Sequence, residues 1–256
     1  MIVQVVSFVI EGHVLDFPLK GRFRIVSDIV NDSKADLLVF PGWTLDKKND
    51  IQKLLAQLEN KKTTVFFEWY DRKRDELDAH NGYVLHKGRL IDQNVRQIFS
   101  SAKCVEKKDD FIDYYLGELE SKRLLKIGAR KALWLSCGEI NILKNKQAEG
   151  NKVVFRSTSK VLTQRFNASL KKSDFIINPI HTPMGNQGKL SKRRVHLTRK
   201  DKVYISTCNV EVKDGRTISQ LLKRKLQYVV KIQKEITPFG SILSEKNGFV
   251  SNLYEI

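Results

Sequence analysis

The sequence predicts an α/β protein, strands in sheets covered by helices, folded as one domain over residues 1–256. Short apolar, β-branched runs alternate with stretches of helical periodicity from one end of the chain to the other. Several of these runs stop on Pro, Gly or Asn, as buried strands do where they leave a sheet. No low-complexity linker and no internal repeat divides the chain.

Residues 4–10 read as the first strand and 23–30 as a helix. Residues 35–40 form an apolar strand ended by Pro41-Gly42. Asp50 caps an amphipathic helix that carries Ile51, Leu54, Leu55 and Leu58 on one face. Residues 63–70 are β-branched and aromatic. Residues 81–90 and 95–100 pair as strands, with Lys87-Gly88 as a turn signal. Residues 109–122 read as a helix, and 131–136 as a strand that stops at Cys137. The second half repeats the rhythm. A helix over 157–171 has Val161, Leu162, Phe166 and Leu170 as its stripe, and strands follow at 174–179 and 203–207. Residues 219–234 fit either a basic helix or strands, with 226–232 favouring strand. Short strands close the chain around Gly240 and Gly248.

With 41% hydrophobic residues in 256, the chain can bury a substantial core. No apolar run reaches the ~20 residues of a membrane span. The start of the chain lacks a basic leader and reads as a strand, so a cytoplasmic protein is expected. Cys104, Cys137 and Cys208 are odd in number and widely spaced, which gives neither a disulfide framework nor a zinc pattern. No metal and no cofactor are expected. Forty-six Lys and Arg against 29 Asp and Glu leave +17, a field that attracts polyanions such as nucleic acid or an acidic protein. The densest basic stretch contains Lys189, Lys192, Arg193, Arg194, Arg199 and Lys200.

Cys137 is the most informative residue. The apolar run Leu133-Trp134-Leu135-Ser136 delivers a thiol to a sheet edge, with the carboxylate of Glu139 two residues on. Residues 35–41, 81–99, 133–139 and 174–209, in this order, resemble the nitrilase or carbon–nitrogen hydrolase superfamily. Phe40-Pro41, Cys137-Gly138-Glu139, Asn178-Pro179 and Asn209 stand where that family has Phe-Pro-Glu, Cys-x-acid, Asn-Pro and a strand-end Asn. The resemblance implies a four-layer αββα sandwich, often a homodimer, and hydrolysis of an amide or nitrile through a cysteine thioester. The family's site is Cys-Glu-Lys. Here Gly42 takes the glutamate position and Gln97 the lysine position, so the usual general base and oxyanion cation are missing.

Two replacement bases present themselves. Glu68 ends a strand expected at the same sheet edge, although a surface ion pair with Arg72 or Lys73 would equally explain it. His181 ends another strand, and a Cys137–His181 pair would make a thiolate–imidazolium nucleophile. Glu139 is expected to position the site or to sit at a helix start. Trp43, Trp69 and Asn178 are candidates to line a substrate pocket, and Arg96 is expected to face away from Gln97. The expectation is therefore a rewired amidohydrolase or an inactive scaffold, with a basic binding module as the alternative.

Overall fold

The computed structural model describes residues 1–256 except 13, 48, 72, 75, 76, 78, 92–94, 184, 200, 213 and 214. Two sheets form its centre. The first runs laterally as Gly240–Ser244, Phe249–Glu255, Ile2–Ile10, Leu37–Val39, Thr64–Tyr70, His80–His86 and Arg89–Leu90. The second runs as Lys234–Glu235, Gln227–Lys231, Val203–Cys208, Phe175–Ile180, Arg130–Trp134 and Leu124–Ile127.

Side-chain alternation explains why these sheets pack in four layers. Val3, Val5, Leu37, Val39, Phe66 and Val84 from the first sheet meet Ala132, Trp134, Phe175, Ile177, Val203 and Ile205 from the second. Residues of the opposite parity face helices. Val6, Phe8, Leu38, Val65 and Phe67 pack on helices Arg22–Asp32 and Asp50–Ala56. Leu133, Leu135, Ile176 and Tyr204 pack on helices Asp109–Lys122, Lys160–Lys172 and Gln187–Leu197. The result is the αββα sandwich. Polar contacts also cross the interior: Ser7 Oγ and Thr207 Oγ1 lie 2.7 Å apart, and Gln227 Nε2 donates to Ser7 Oγ at 3.2 Å.

The differences from the sequence reading are local. Val161 is 63% exposed, because it lies in the first turn of its helix, whose buried stripe is Leu162, Phe166, Ser169 and Leu170. Residues 219–234 divide into the helix Ile218–Leu222, opened by a Thr217 capping box, and the strand Gln227–Lys231. The central strands are parallel within each sheet, Leu37–Val39 beside Thr64–Tyr70 and Arg130–Trp134 beside Phe175–Ile180 beside Val203–Cys208. Their C-terminal ends bring together Glu68, on the strand Thr64–Tyr70, and the loop residues Gly42, Cys137, His181 and Asn209, at the edge where open parallel sheets place ligands.

Candidate active site

Glu68 and Trp69 are neighbours on one strand and face opposite ways. Glu68 has the parity of Phe66 and points between the sheets, where it is 1% exposed. Trp69 has the parity of Phe67 and packs with the outer helical layer, on the face away from Glu68. The surface ion pair considered for Glu68 is also excluded by its burial; Arg72 lies outside the described residues. Its carboxylate instead receives three donors on Oε1: His181 Nε2 at 2.8 Å, the backbone N–H of Trp43 at 3.0 Å and His80 Nδ1 at 3.3 Å. His80 was not singled out in the sequence. It pairs across from Tyr70 in the antiparallel register, and that pairing puts it on the same face as Glu68.

His181 directly follows the strand Phe175–Ile180, with its ring between the sheets. Its plane stacks on Trp43 at a centroid distance of 4.6 Å and an angle of 3°, and His80 lies 4.1 Å away on centroids. Asn209 Nδ2 donates to the carbonyls of Gly42 at 2.7 Å and His181 at 2.9 Å, tying the two loops together. Burial alone would push the imidazole towards neutrality. The Glu68 carboxylate and the Cys137 sulfur reverse this and raise the imidazole to about 10. Burial would likewise raise the Glu68 carboxyl, but His181 and then His80 hold it well below the usual carboxylate range. Both shifts describe one buried imidazolium–carboxylate pair.

Gly42 explains how this pair fits. A Cβ at position 42 would lie 2.1 Å from His181 Cδ2 and 2.8 Å from Nε2. The imidazole therefore occupies the space that a side chain at 42 would need. With Nε2 committed to Glu68, Nδ1 is the ring nitrogen left for the Cys137 sulfur, which interacts with this imidazole by charge and hydrogen bonding.

Cys137 is half-buried at a turn between the strand Arg130–Trp134 and a short 3-10 helix. Gly138 has φ 82°, and a Cβ there would meet the carbonyl oxygen of Ser100 at 2.1 Å, so only glycine fits. Glu139 is completely buried and accepts from the N–H of Ser136 and of Ile98, both at 2.8 Å. It also pairs with Arg123 Nη1, while Arg123 Nη2 reaches the carbonyl of Arg96. Asn178 is fully buried. It donates to the carbonyls of Leu135 at 2.8 Å and Ser136 at 3.1 Å and accepts from Tyr204 Oη at 2.7 Å, which fixes the approach to the turn. Gln97 is committed too: Nε2 donates to the carbonyls of Phe99 and Cys137, which uses both its protons. Arg96 is exposed while Gln97 is buried, in line with strand alternation. A cavity of about 270 Å³ is lined by Thr182 and Pro183, which follow His181 in the chain, with Val210, Leu221, Arg216 and Arg224. Val210 and Leu221 belong to the apolar cluster on which Cys137 packs.

Glu68, His80 and His181 offer ligand atoms within 4.8 Å of one another, a set that could hold a metal ion. The 2.8 Å separation of Nε2 and Oε1 is that of a proton shared between them. The basic stretch behaves differently from its sequence reading. Arg193 is buried and bonds Asn145 Oδ1 at 2.8 Å and Asn141 Oδ1 at 2.6 Å; Arg194 is buried over Tyr228. Helix Gln187–Leu197 turns these two arginines inward, so neither serves a surface polyanion. Lys192 and Arg199 are exposed, Lys189 is half-buried, and Lys200 lies outside the described residues.

No family model matches the chain, and no curated protein matches it. Solved structures do. An amidase from Nesterenkonia sp. shares 10% identity over 98% of this chain and 89% of its own, with a TM-score of 0.53. A cysteine-to-alanine variant of the Nesterenkonia AN1 amidase, described as from the nitrilase superfamily, gives 9% identity, 98% and 89% coverage and a TM-score of 0.53. Forms of that amidase hold acrylamide or butyramide. The glutamine-dependent NAD+ synthetase from Acinetobacter baumannii matches over 93% of this chain and 43% of its own, at 14% identity and a TM-score of 0.52. The chain thus has the carbon–nitrogen hydrolase fold. No helix among the described residues is long and apolar enough to cross a membrane.

Proposed function

We propose that the protein is a cysteine hydrolase of a non-peptide carbon–nitrogen bond, with Cys137 as nucleophile, His181 as proton carrier and Glu68 as the carboxylate that orients and charges the imidazole. The supporting observation is the 2.8 Å contact of His181 Nε2 with the buried Glu68 Oε1, in the space left by Gly42. The two replacement bases expected separately act here as one relay, and the imidazole takes over the work of the glutamate that Gly42 lacks.

In the proposed cycle His181 holds the proton of Cys137, and the thiolate attacks the carbonyl carbon of an amide. A C–S bond forms and the carbonyl electron pair moves onto oxygen. The backbone N–H of Gly138, next to the nucleophile, is assigned to this oxyanion, since both protons of Gln97 Nε2 are used elsewhere. The electron pair returns, the C–N bond breaks, and His181 passes its proton to the departing nitrogen. Water then gives a proton to His181 and attacks the thioester. The C–S bond breaks, releasing the carboxylic acid and restoring the thiolate. Small aliphatic amides, the ligands of the structurally similar amidase, are the first substrates to assay.

The test joins two measurements. Ammonia release from small amides should disappear in Cys137→Ala, and mass spectrometry of Glu68→Gln or wild-type enzyme quenched during turnover should show an acyl adduct on Cys137. Alkylation of Cys137 by iodoacetamide should remain fast well below pH ~8.5, the midpoint of an ordinary thiol. A Cys137 that alkylates along the free-thiol curve would sink the proposal. So would activity that chelation removes and zinc restores, which would turn Glu68, His80 and His181 into metal ligands.

A further inference from the structure

Arg194 is a buried cation with no role in the relay. It is 2% exposed. Its Cζ lies 3.6 Å from the centre of the Tyr228 ring, Nη2 donates to Gln187 Oε1 at 3.2 Å, and the Tyr204 hydroxyl stands beside the guanidinium. Nε and Nη1 have no hydrogen-bond partner among the described residues. Ser206 Oγ is likewise fully buried, beside the Tyr204 hydroxyl but without a hydrogen bond of regular geometry. A desolvated guanidinium with two idle donors is costly unless an anion completes it.

Register locates this group relative to the thiol. Ser206 lies between Asn178 and Tyr228 on three adjacent strands, all with the parity of Tyr204, which faces helix Gln187–Leu197. Asn178 holds the carbonyls of Leu135 and Ser136, the residues that lead into Cys137. Tyr204 and Cys208 both sense the charges of Arg194 and Cys137, and Arg224 also acts on Cys208. Cys137 therefore has the His181–Glu68 pair on its inter-sheet side and a second, cationic group on its helix side.

We propose that Arg194, with Ser206, is the subsite for a carboxylate on the substrate, so that the amide hydrolysed carries an acid group on a short aliphatic spacer. This rests on the cysteine hydrolase reading and narrows it from amides in general to monoamides of dicarboxylic acids. A planar guanidinium presents its Nε and one Nη edge to both oxygens of a carboxylate, and these are the donors with no partner here. Hydrolysis of such an amide yields a dicarboxylate and ammonia.

Glutarate and its uncharged analogue glutaramide are used as probes at constant ionic strength, with the rate of Cys137 alkylation by iodoacetamide followed by mass spectrometry. Glutarate should slow alkylation of the wild-type protein tenfold or more, and glutaramide should have little effect. Arg194→Met should abolish the protection, measured against that variant's own unprotected rate, and its melting temperature should not fall, since a buried unpaired charge is removed. Equal protection by glutaramide, no protection by glutarate, or protection that survives Arg194→Met would each overturn the assignment. Should Arg194→Met fail to fold, Ser206→Ala and the wild-type comparison of the two probes decide the matter. Alkylation along the free-thiol pH curve would instead defeat the hydrolase reading, and glutarate protection would still report the anion site.

Discussion

Cys137 stands between two buried glutamates, each held by a cation, and the two pairs differ in one respect that decides what each can do. Glu139 meets Arg123, and a guanidinium keeps its proton wherever a protein stays folded. Its oxygens also take the backbone N–H groups of Ser136 and Ile98, so that pair pins two strands and the turn between them. Glu68 meets His181, whose proton can leave, and the imidazole touches the thiol. A fixed cation beside a carboxylate builds architecture, whereas a titratable one can carry protons. The two pairs should therefore respond oppositely to substitution: activity is lost at one and stability at the other.

The largest effect is expected at His181. His181→Ala removes the proposed proton carrier and should lower kcat/KM by about 10³-fold or more with the fold retained, because general base and general acid would be lost together. Circular dichroism beside the ammonia assay checks this. An inactive protein that has also unfolded would mean that His181 belongs with the architectural pair.

Gly42→Ala comes next. Its Cβ would push the imidazole off Glu68, and a loss of about 10²-fold is expected, with crystals showing a displaced ring. Gly42→Glu, which restores the residue of the resembled family, should be inactive while His181 is present. An active Gly42→Glu protein would show that the space is not contested.

This contest marks how far the sequence was legible. Period-two and period-3.6 patterns carried the fold, and an apolar strand ending at Cys137 marked the proposed nucleophile. Glu68 and His181 were visible one at a time, as ends of strands that belong to different sheets. Their contact depends on how the two sheets stack, which no local pattern encodes. His80 was hidden for a similar reason, since its face is set by its pairing with Tyr70. Trp69 was legible in principle: the alternation that turns Arg96 away from Gln97 also turns Trp69 away from Glu68. Arg193 and Arg194 misled because a run of basic residues looks like a surface until the helix is docked. Arg193 then serves Asn141 and Asn145 of the adjoining segment.

At the architectural pair, Glu139→Gln leaves a buried guanidinium facing a neutral amide. Breaking such a pair from one side costs about 3–5 kcal/mol. Chemical denaturation should show that loss, and the Cys137 alkylation rate of the remaining folded protein should stay within a few-fold of wild type. A large fall in alkylation at unchanged stability would make Glu139 part of the reactive apparatus.

The smallest effect is a dependence on pH, and it separates the pairs without an activity assay. The imidazole of His181 is raised from about 6.5 in the unfolded chain to about 10 in the fold, so the folded state binds the proton more tightly. That preference stabilises fully below the unfolded value and is lost as pH rises through the folded one. Glu68 is shifted the other way, so its contribution is present above the ordinary carboxyl range and fades in acid. Their pair is therefore worth most between about pH 4.5 and 6.5, and the stability gap between wild type and Glu68→Gln should narrow steadily from pH 6.5 to 10. The gap between wild type and Glu139→Gln should stay level over that range, because no imidazole takes part in that pair. Melting curves of the three proteins across those pH values give the answer. If the Glu139→Gln gap narrows and the Glu68→Gln gap does not, the proton-carrying pair has been assigned to the wrong side of Cys137.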